Sequence, residues 1–120
     1  MIRKATVEDV KEIQRLINYY AKREKMLPRS LNELYESIRN FFVYCEGRKI
    51  YGCCALNIDW EDLAEIKSLA VAKSKAGKGI GSKLLEECLI EYIVNKGVKT
   101  GVRLTRRGVL FCDIVSSAFL

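Results

Sequence analysis

Apolar residues recur at helical spacing in two segments of the first third of the chain. A capping box formed by Thr6 and Asp9 opens the first segment and predicts a helix that ends near Arg23. A second capping box, Ser30 with Glu33, predicts a helix over residues 31–40. The apolar faces of these helices are Val10, Ile13, Ile17 and Tyr20 in the first, and Leu31, Leu34, Tyr35, Ile38 and Phe41 in the second.

Strand-like runs and one long helix account for the rest of the chain. Strands are predicted at residues 2–5, 42–46, 49–57 and 63–71, and the turn Gly47-Arg48 makes the second and third a hairpin. A helix is predicted at 79–95, closed by Lys96 and Gly97. Residues 102–105 and 109–115 are further candidate strands, with no helical stripe between them. The order predicts one α/β domain over residues 1–120, with an atypical tail at 100–120.

A basic loop with glycines at Gly77, Gly79 and Gly81 lies between the fourth strand and the long helix. Glycine lets the backbone approach a ligand, and the unpaired N–H groups at a helix N-terminus favour an anion. The loop is not a Walker P-loop, because Ser82 precedes Lys83 where that motif needs the reverse order. It is not the dinucleotide motif either, because Gly81 comes one residue early. The loop is therefore a candidate polyphosphate cradle of another kind.

Composition limits the chemistry further. Hydrophobic residues make up 49% of the chain, as in an ordinary packed core, and no apolar run is long enough to cross a membrane. There is no histidine, which excludes Ser-His-Asp and Cys-His catalysis and leaves carboxylate, tyrosine, lysine or water as a base. The five cysteines contain no Cys-x-x-Cys pair, so we expect them to be reduced core residues in a soluble cytoplasmic protein. The net charge of +6 fits an anionic ligand; nucleic acid is not expected, since no aromatic stacking motif accompanies the scattered basic residues.

The run Ala76-Gly77-Lys78-Gly79-Ile80-Gly81 resembles motif A of the GNAT acyltransferases, Gln/Arg-x-x-Gly-x-Gly/Ala, with Ala76 in place of Gln or Arg. The resemblance extends from Met1 to about Lys99 and is closest to short N-acetylglutamate synthase-like proteins. Residues 26–35, 52–56 and 60–71 carry it. It implies a GNAT fold, a mixed central sheet with flanking helices, abbreviated at the C-terminus. The family's C-terminal tyrosine, often the general acid for the leaving thiolate, has no counterpart, because the last tyrosine is Tyr92.

The resemblance also implies roles for individual residues. Glu65 would be the base that deprotonates the amine, with Glu61 and Asp62 as competing candidates. Arg29 and Lys67 would bind a carboxylate of the acceptor. Trp60 is either a core residue or part of the pocket wall. No metal is implied. The residues implied to bind the coenzyme are Leu69, Ala70 and Val71 on the strand and Gly77, Lys78, Gly79, Ile80, Gly81, Ser82 and Lys83 in the loop.

The implied reaction is acetyl transfer from acetyl-coenzyme A to the α-amine of an amino acid, with glutamate as first choice, as in arginine biosynthesis. Two alternatives stay open: a catalytically impaired coenzyme A-binding remnant, and acetylation of another small amine or a protein N-terminus. The apolar tail at residues 109–120 has no evident intramolecular helix to cover it, so we expect a homodimer in which each tail packs on its partner or adds a strand to it. The alternative is a tail that folds back as the final strand of its own sheet and leaves a monomer.

Overall fold

The computed structural model of the chain describes residues 1–61, 63–96, 100–104 and 110–114. Short 3-10 turns at Val7–Asp9, Ile38–Asn40 and Lys73–Lys75 adjoin the regular elements. The three α-helices are α1 (Val10–Ala21), α2 (Leu31–Ser37) and α3 (Ile80–Lys96). The strands are β1 (Ile2–Lys4), β2 (Phe41–Glu46), β3 (Lys49–Trp60), β4 (Leu63–Val71), β5 (Thr100–Leu104) and β6 (Leu110–Ile114).

The sequence placed these elements in the right order, with small shifts at their ends. The β4 strand has the predicted bounds, whereas β3 continues to Trp60, beyond the predicted end at Asn57. The second helix ends at Ser37 and becomes a 3-10 turn over the rest of its predicted length. Ser30 caps it as predicted, its Oγ accepting the Glu33 N–H at 3.1 Å.

The six strands of the described residues form one sheet in the order β1-β2-β3-β4-β6-β5, and every neighbouring pair among them is antiparallel. The mixed sheet that the resemblance implied is therefore wrong for the described strands. Because α3 connects β4 to β5, these two strands run parallel to each other. However, β6 turns back between the two strands and is antiparallel to both.

This position of β6 also changes the expectation for the tail. Leu63, Ala64 and Glu65 pair with Asp113, Cys112 and Phe111 in turn. Residues 110–114 are thus a strand of the chain's own sheet, as in the alternative to a tail that adds a strand to a partner. Residues 105–109 and 115–120 of the predicted tail lie outside the described part.

The sheet separates two hydrophobic clusters. On one face α1 and α2 pack on β2, β3 and Ala70, and on the other face α3 packs on Phe42, Cys54, Leu56, Ala64 and Ile66. Tyr35, a predicted core position, is 43% exposed. Trp60 is 70% exposed, so of its two alternatives the core position is wrong. Tyr35 lies at the edge of the α2 stripe, and Trp60 lies at the end of the extended β3. In the described residues, no helix is long and apolar enough to span a membrane.

Four cysteines confirm the expectation of reduced core thiols: Cys45, Cys53, Cys54 and Cys88 are free and buried. Burial raises the pKa of Cys53 to about 12. The Cys88 and Cys54 sulfurs lie 3.6 Å apart between α3 and β3. The hydrogen bond between the Cys54 and Cys88 sulfurs, together with burial, raises the pKa of the Cys54 thiol as well. Cys53 and Cys54 are therefore protonated near neutral pH and are packing residues rather than nucleophiles.

Candidate functional site

The edge of β4 that faces away from β3 is only partly covered. β3 pairs with β4 along nearly its full length, whereas β6 pairs with Leu63, Ala64 and Glu65 alone. Along residues 66–71, no strand of the described part lies against this edge. Backbone N–H and C=O groups on an uncovered edge can pair with an extended ligand that contains amides.

Hydrogen bonding at the end of β4 shows which backbone groups face that edge. The Ala72 N–H donates to Tyr51 O on the β3 side at 2.7 Å. Because antiparallel pairing alternates, Val71 turns its N–H and C=O groups to the uncovered edge, and Ala70 turns its groups to β3. Leu69 adjoins a bulge, which interrupts this alternation. The Val71 carbonyl already accepts a hydrogen bond from the Tyr20 hydroxyl of α1. Of the three strand residues implied to bind a coenzyme, Val71 thus has its backbone groups on the uncovered edge, and the binding role of all three stays a prediction.

A β-bulge interrupts β4 beside this edge. Cys53 pairs with Ala70 and Ala55 pairs with Lys67, so two residues of β4 oppose Cys54 alone. One of the two, Ser68, has φ of 56°, a left-handed conformation that is uncommon for a residue other than glycine. The Cys53 thiol donates to the Ser68 carbonyl at 3.2 Å. Such bulges redirect side chains and are frequent near functional sites.

The glycine loop continues from this strand edge into α3. Gly77 and Gly79 have φ of 77° and 80°, and a Cβ built on either would meet no atom of the described protein within 4 Å. The backbone conformation therefore favours glycine here, and no described atom fills the space that a Cβ would occupy. The first intrahelical bond runs from Lys83 N to Gly79 O at 3.1 Å. The N–H groups of Ile80, Gly81 and Ser82 have no acceptor among the described residues and can donate to an anion.

The side chains of the loop divide into two kinds. Lys78, Ser82 and Lys83 are exposed and could meet a ligand, while the Ile80 side chain is buried in the α3 core and offers only its N–H. Lys75 is engaged elsewhere, since its Nζ lies 2.9 Å from Glu46 Oε1. The cradle thus combines N–H donors with two lysines, and none of these groups has a partner among the described residues.

Arg29, in the segment between α1 and α2, reaches the bulge of β4. Its Nη1 donates to Ser68 Oγ at 2.9 Å, and its Nη2 donates to Ser37 Oγ at 3.3 Å. Its Nε lies 3.4 Å from Glu33 Oε2, and the side chain is only 15% exposed. Arg29 is therefore fixed over the sheet beside β4 rather than free in solvent.

Glu65 and Lys67 lie together on the same side of β4, as strand alternation predicted. The Lys67 Nζ is 3.4 Å from Glu65 Oε1, and the Glu65 side chain is 21% exposed. On the neighbouring strand, Asn57 is the cross-strand partner of Glu65 and accepts a hydrogen bond from Asn40. Of the competing carboxylates, Glu61 is exposed in the turn after β3, and Asp62 lies outside the described residues.

Several residues of this site were not identified from the sequence. They are Ser37 and Ser68, which hold Arg29, and Tyr20, which binds Val71. Tyr20 was predicted only as an apolar helix position, and serines carry no local signal that they will meet an arginine from a distant segment. Among the described residues, no cluster of cysteine, aspartate and glutamate could hold a metal ion.

The sequence is similar to known acetyltransferases. The sequence model of the acetyltransferase (GNAT) family matches residues 7–108. An uncharacterised N-acetyltransferase of Chlorobaculum tepidum is 41% identical over 86 residues, covering 72% of this chain and 56% of the relative. An amino-acid acetyltransferase of Mycobacterium tuberculosis is 35% identical over 92 residues, covering 74% of this chain and 52% of the relative. The chain thus spans about half the length of these curated relatives.

Solved structures with a similar fold also include acetyltransferases. A Mycobacterium tuberculosis protein in complex with CoA and a second ligand has a TM-score of 0.75 and 33% identity over 80% of this chain and 59% of its own. N-acetylglutamate synthase from Neisseria gonorrhoeae, complexed with coenzyme A and N-acetyl-glutamate, has a TM-score of 0.74. It is 23% identical over 97% of this chain and 35% of its own, a likeness that concerns the fold alone. The expected α/β GNAT fold is confirmed, and the chain belongs to the GNAT acetyltransferase family.

Proposed function

We propose that this chain transfers the acetyl group of acetyl-coenzyme A to the α-amine of an amino acid. The observation that carries the proposal is the continuity of the uncovered β4 edge with the glycine loop. An acyl-coenzyme A has the matching shape: a pantetheine arm with two amides leads to a pyrophosphate. The family and the CoA-bound structure from Mycobacterium tuberculosis support the same donor.

In this proposal the donor lies along β4, with its amides on the backbone groups of Leu69 and Val71 and its pyrophosphate on the N–H groups that open α3. Lys78 and Lys83 add charge to the cradle. The thioester carbonyl would meet a backbone N–H near the bulge, where developing negative charge needs a donor. Donor and acceptor would then be held in contact, which removes much of the entropic barrier.

The reaction is a direct displacement in this proposal. The amine nitrogen attacks the thioester carbon, an N–C bond forms, and the C–S bond breaks to release the coenzyme A thiolate. Glu65, directly or through water, takes the proton that the amine must lose. The thiolate takes a proton from solvent, since no side chain is assigned as the acid.

For the acceptor we propose an amino acid with a second carboxylate, glutamate first, as in arginine biosynthesis. Arg29 and Lys67 supply two cations on neighbouring positions of the same site, and a guanidinium fits a carboxylate in two-point contact. The name of the Mycobacterium tuberculosis relative, amino-acid acetyltransferase, supports this acceptor class. A cytoplasmic location and a homodimer remain part of the proposal. In the described sheet β1 and β5 are the outer strands, and β5, which pairs with β6, is where a second copy would add a strand.

Turnover with a panel of amines tests the proposal. Release of coenzyme A thiol should be fastest with glutamate, slower with glutamine and absent with acetyl acceptors that lack an α-carboxylate, such as simple alkylamines. A thermal-shift titration with coenzyme A is run on the same preparation. Binding of coenzyme A without turnover of any amine would contradict the proposed acetyl transfer and favour a catalytically impaired remnant. Preference for an alkylamine would contradict only the proposal that the acceptor is an amino acid.

A further inference from the structure

A second candidate site lies on α1, on the surface opposite the core. Val10, Ile13 and Ile17 are buried against the sheet. The exposed side of the helix and Leu31, the first residue of α2, enclose an open groove of about 620 Å³. This volume is within the range of small-molecule sites. The lining residues besides Leu31 are Lys11, Gln14, Arg15, Asn18, Tyr19, Lys22 and Arg23.

The charge of the groove is of one sign. Lys11, Arg15 and Lys22 follow one another at spacings of four and seven residues, which places them on one face of the helix. Among the described residues, no carboxylate lies within 4.0 Å of these three cations or of Arg23. Arg23 packs over the Tyr19 ring at 3.7 Å and donates to Tyr19 O. Like charges at such spacing repel, and a bound anion would relieve the repulsion.

An unpaired polar group adds a second observation. The Oδ1 of Asn18 is buried and has no hydrogen-bond partner among the described residues. A buried amide without a partner is uncommon, since it costs free energy relative to water. Asn18 Oδ1 is an acceptor, so a ligand in the groove would satisfy it by donating from a hydroxyl or an N–H group, such as the hydroxyl of citrate. Gln14 is at the same wall and holds the Arg29 carbonyl at 3.2 Å.

We propose that this groove binds a small polyanion, a molecule with two or more phosphate or carboxylate groups, at a site separate from the glycine cradle. Arginine forks and lysine ammonium groups suit such groups. Tyr19 and Leu31 supply an apolar wall beside them. The proposal does not depend on the acceptor assigned above.

The test uses inorganic pyrophosphate and citrate as probes, with coenzyme A present at saturation so that the cradle is occupied. Amide resonances of α1 and the Asn18 and Gln14 side-chain amides should shift with at least one probe. Arg15→Gln/Lys22→Gln should weaken that binding by about tenfold or more. Arg39→Gln/Arg48→Gln removes the same two charges from exposed positions outside the groove and should change binding by less than about twofold.

Three results would overturn the proposal: shifts confined to residues 77–83, equal losses in the two double variants, or no shift with either probe. A fourth result would also overturn it: coenzyme A alone shifts the α1 resonances, and the Arg15→Gln/Lys22→Gln variant binds coenzyme A more weakly. In that case the groove belongs to the coenzyme site.

Discussion

Arg29 Nη1 and Ser68 Oγ lie 2.9 Å apart, and they connect the segment after α1 to the one residue of β4 with left-handed backbone geometry. The two residues are 39 positions apart in the chain. The bulge turns the Ser68 hydroxyl toward Arg29, while Ser37 and Glu33 hold the rest of the guanidinium. The bulge is therefore what fixes the direction of the proposed carboxylate-binding group.

Replacement of Ser68 tests this relationship with a matched pair of variants. Glycine and asparagine both tolerate φ of 56°, but only asparagine keeps an acceptor for Arg29. Ser68→Gly should raise the KM for the amino-acid acceptor about fivefold, the effect of losing one hydrogen bond of about 1 kcal/mol, and leave kcat and the KM for acetyl-coenzyme A unchanged. Ser68→Asn should restore most of the loss.

Steady-state kinetics with each substrate varied in turn measures these values. A parental KM for the acceptor in Ser68→Gly would mean that the Ser68 hydroxyl does not position Arg29. A change in kcat instead would place Ser68 in the chemical step.

The glycine cradle allows an equally matched comparison. Gly79→Asp and Gly79→Asn have side chains of nearly the same size at φ of 80°, a conformation that both residues accept better than other non-glycine residues. They differ in charge. The aspartate should weaken coenzyme A binding about tenfold or more relative to the asparagine, because its carboxylate faces the pyrophosphate. Isothermal titration calorimetry measures the affinity for coenzyme A of both variants, once their circular dichroism spectra match the parent. Equal affinities would contradict the proposal that this loop binds the pyrophosphate.

The secondary structure around this site could be predicted because it depends on residues that are contiguous in the sequence. The bounds of β4, the glycine positions and the start of α3 follow from an apolar run, a Gly-rich turn and a helical stripe that adjoin one another. Strand alternation alone placed Glu65 and Lys67 on the same side of β4. These are local rules, and they hold wherever the register of a strand is fixed by its own pattern.

What the sequence did not reveal depends on pairings between distant segments. The bulge at Ser68 arises from the register of β4 against β3, and a serine in a strand gives no signal of left-handed geometry. The insertion of β6 between β4 and β5 is a choice among competing partners, which apolar pattern cannot rank. Tyr35 shares the helical spacing of Leu34 and Ile38, yet it lies beyond the width of the face that the sheet covers.

Glu65 should matter for the rate rather than for acceptor binding. If it accepts the amine proton, Glu65→Gln should lower kcat by about a hundredfold, because a positioned base typically contributes this much or more. Glu61→Gln, at an exposed position in the nearby turn, is the control and should retain parental kcat. Rapid-quench or thiol-release assays at saturating substrates measure both variants. A loss confined to Glu61→Gln would reverse the assignment, and parental kcat in both would leave water as the base.

The last prediction concerns stability at acid pH. Asp9, at the start of α1, accepts from Arg3 Nη1 at 2.7 Å and Nη2 at 3.0 Å and from the Thr6 N–H at 2.8 Å. The hydrogen bond from Arg3, helped by the Thr6 N–H, holds the pKa of the Asp9 carboxyl below its usual value of 3.8. A carboxyl with a lowered folded-state pKa stabilises the fold above the unfolded pKa, and this stability is lost as the pH falls through the folded pKa.

Asp9→Asn should therefore lower the free energy of unfolding by about 1.5 kcal/mol at pH 7, and the difference from the parent should shrink steadily below about pH 4. Urea unfolding at pH 7 and pH 3 measures it, with Glu8→Gln as the control that removes a neighbouring exposed carboxylate. A difference of the same size at both pH values would show that the asparagine acts through packing and not through the charge of Asp9.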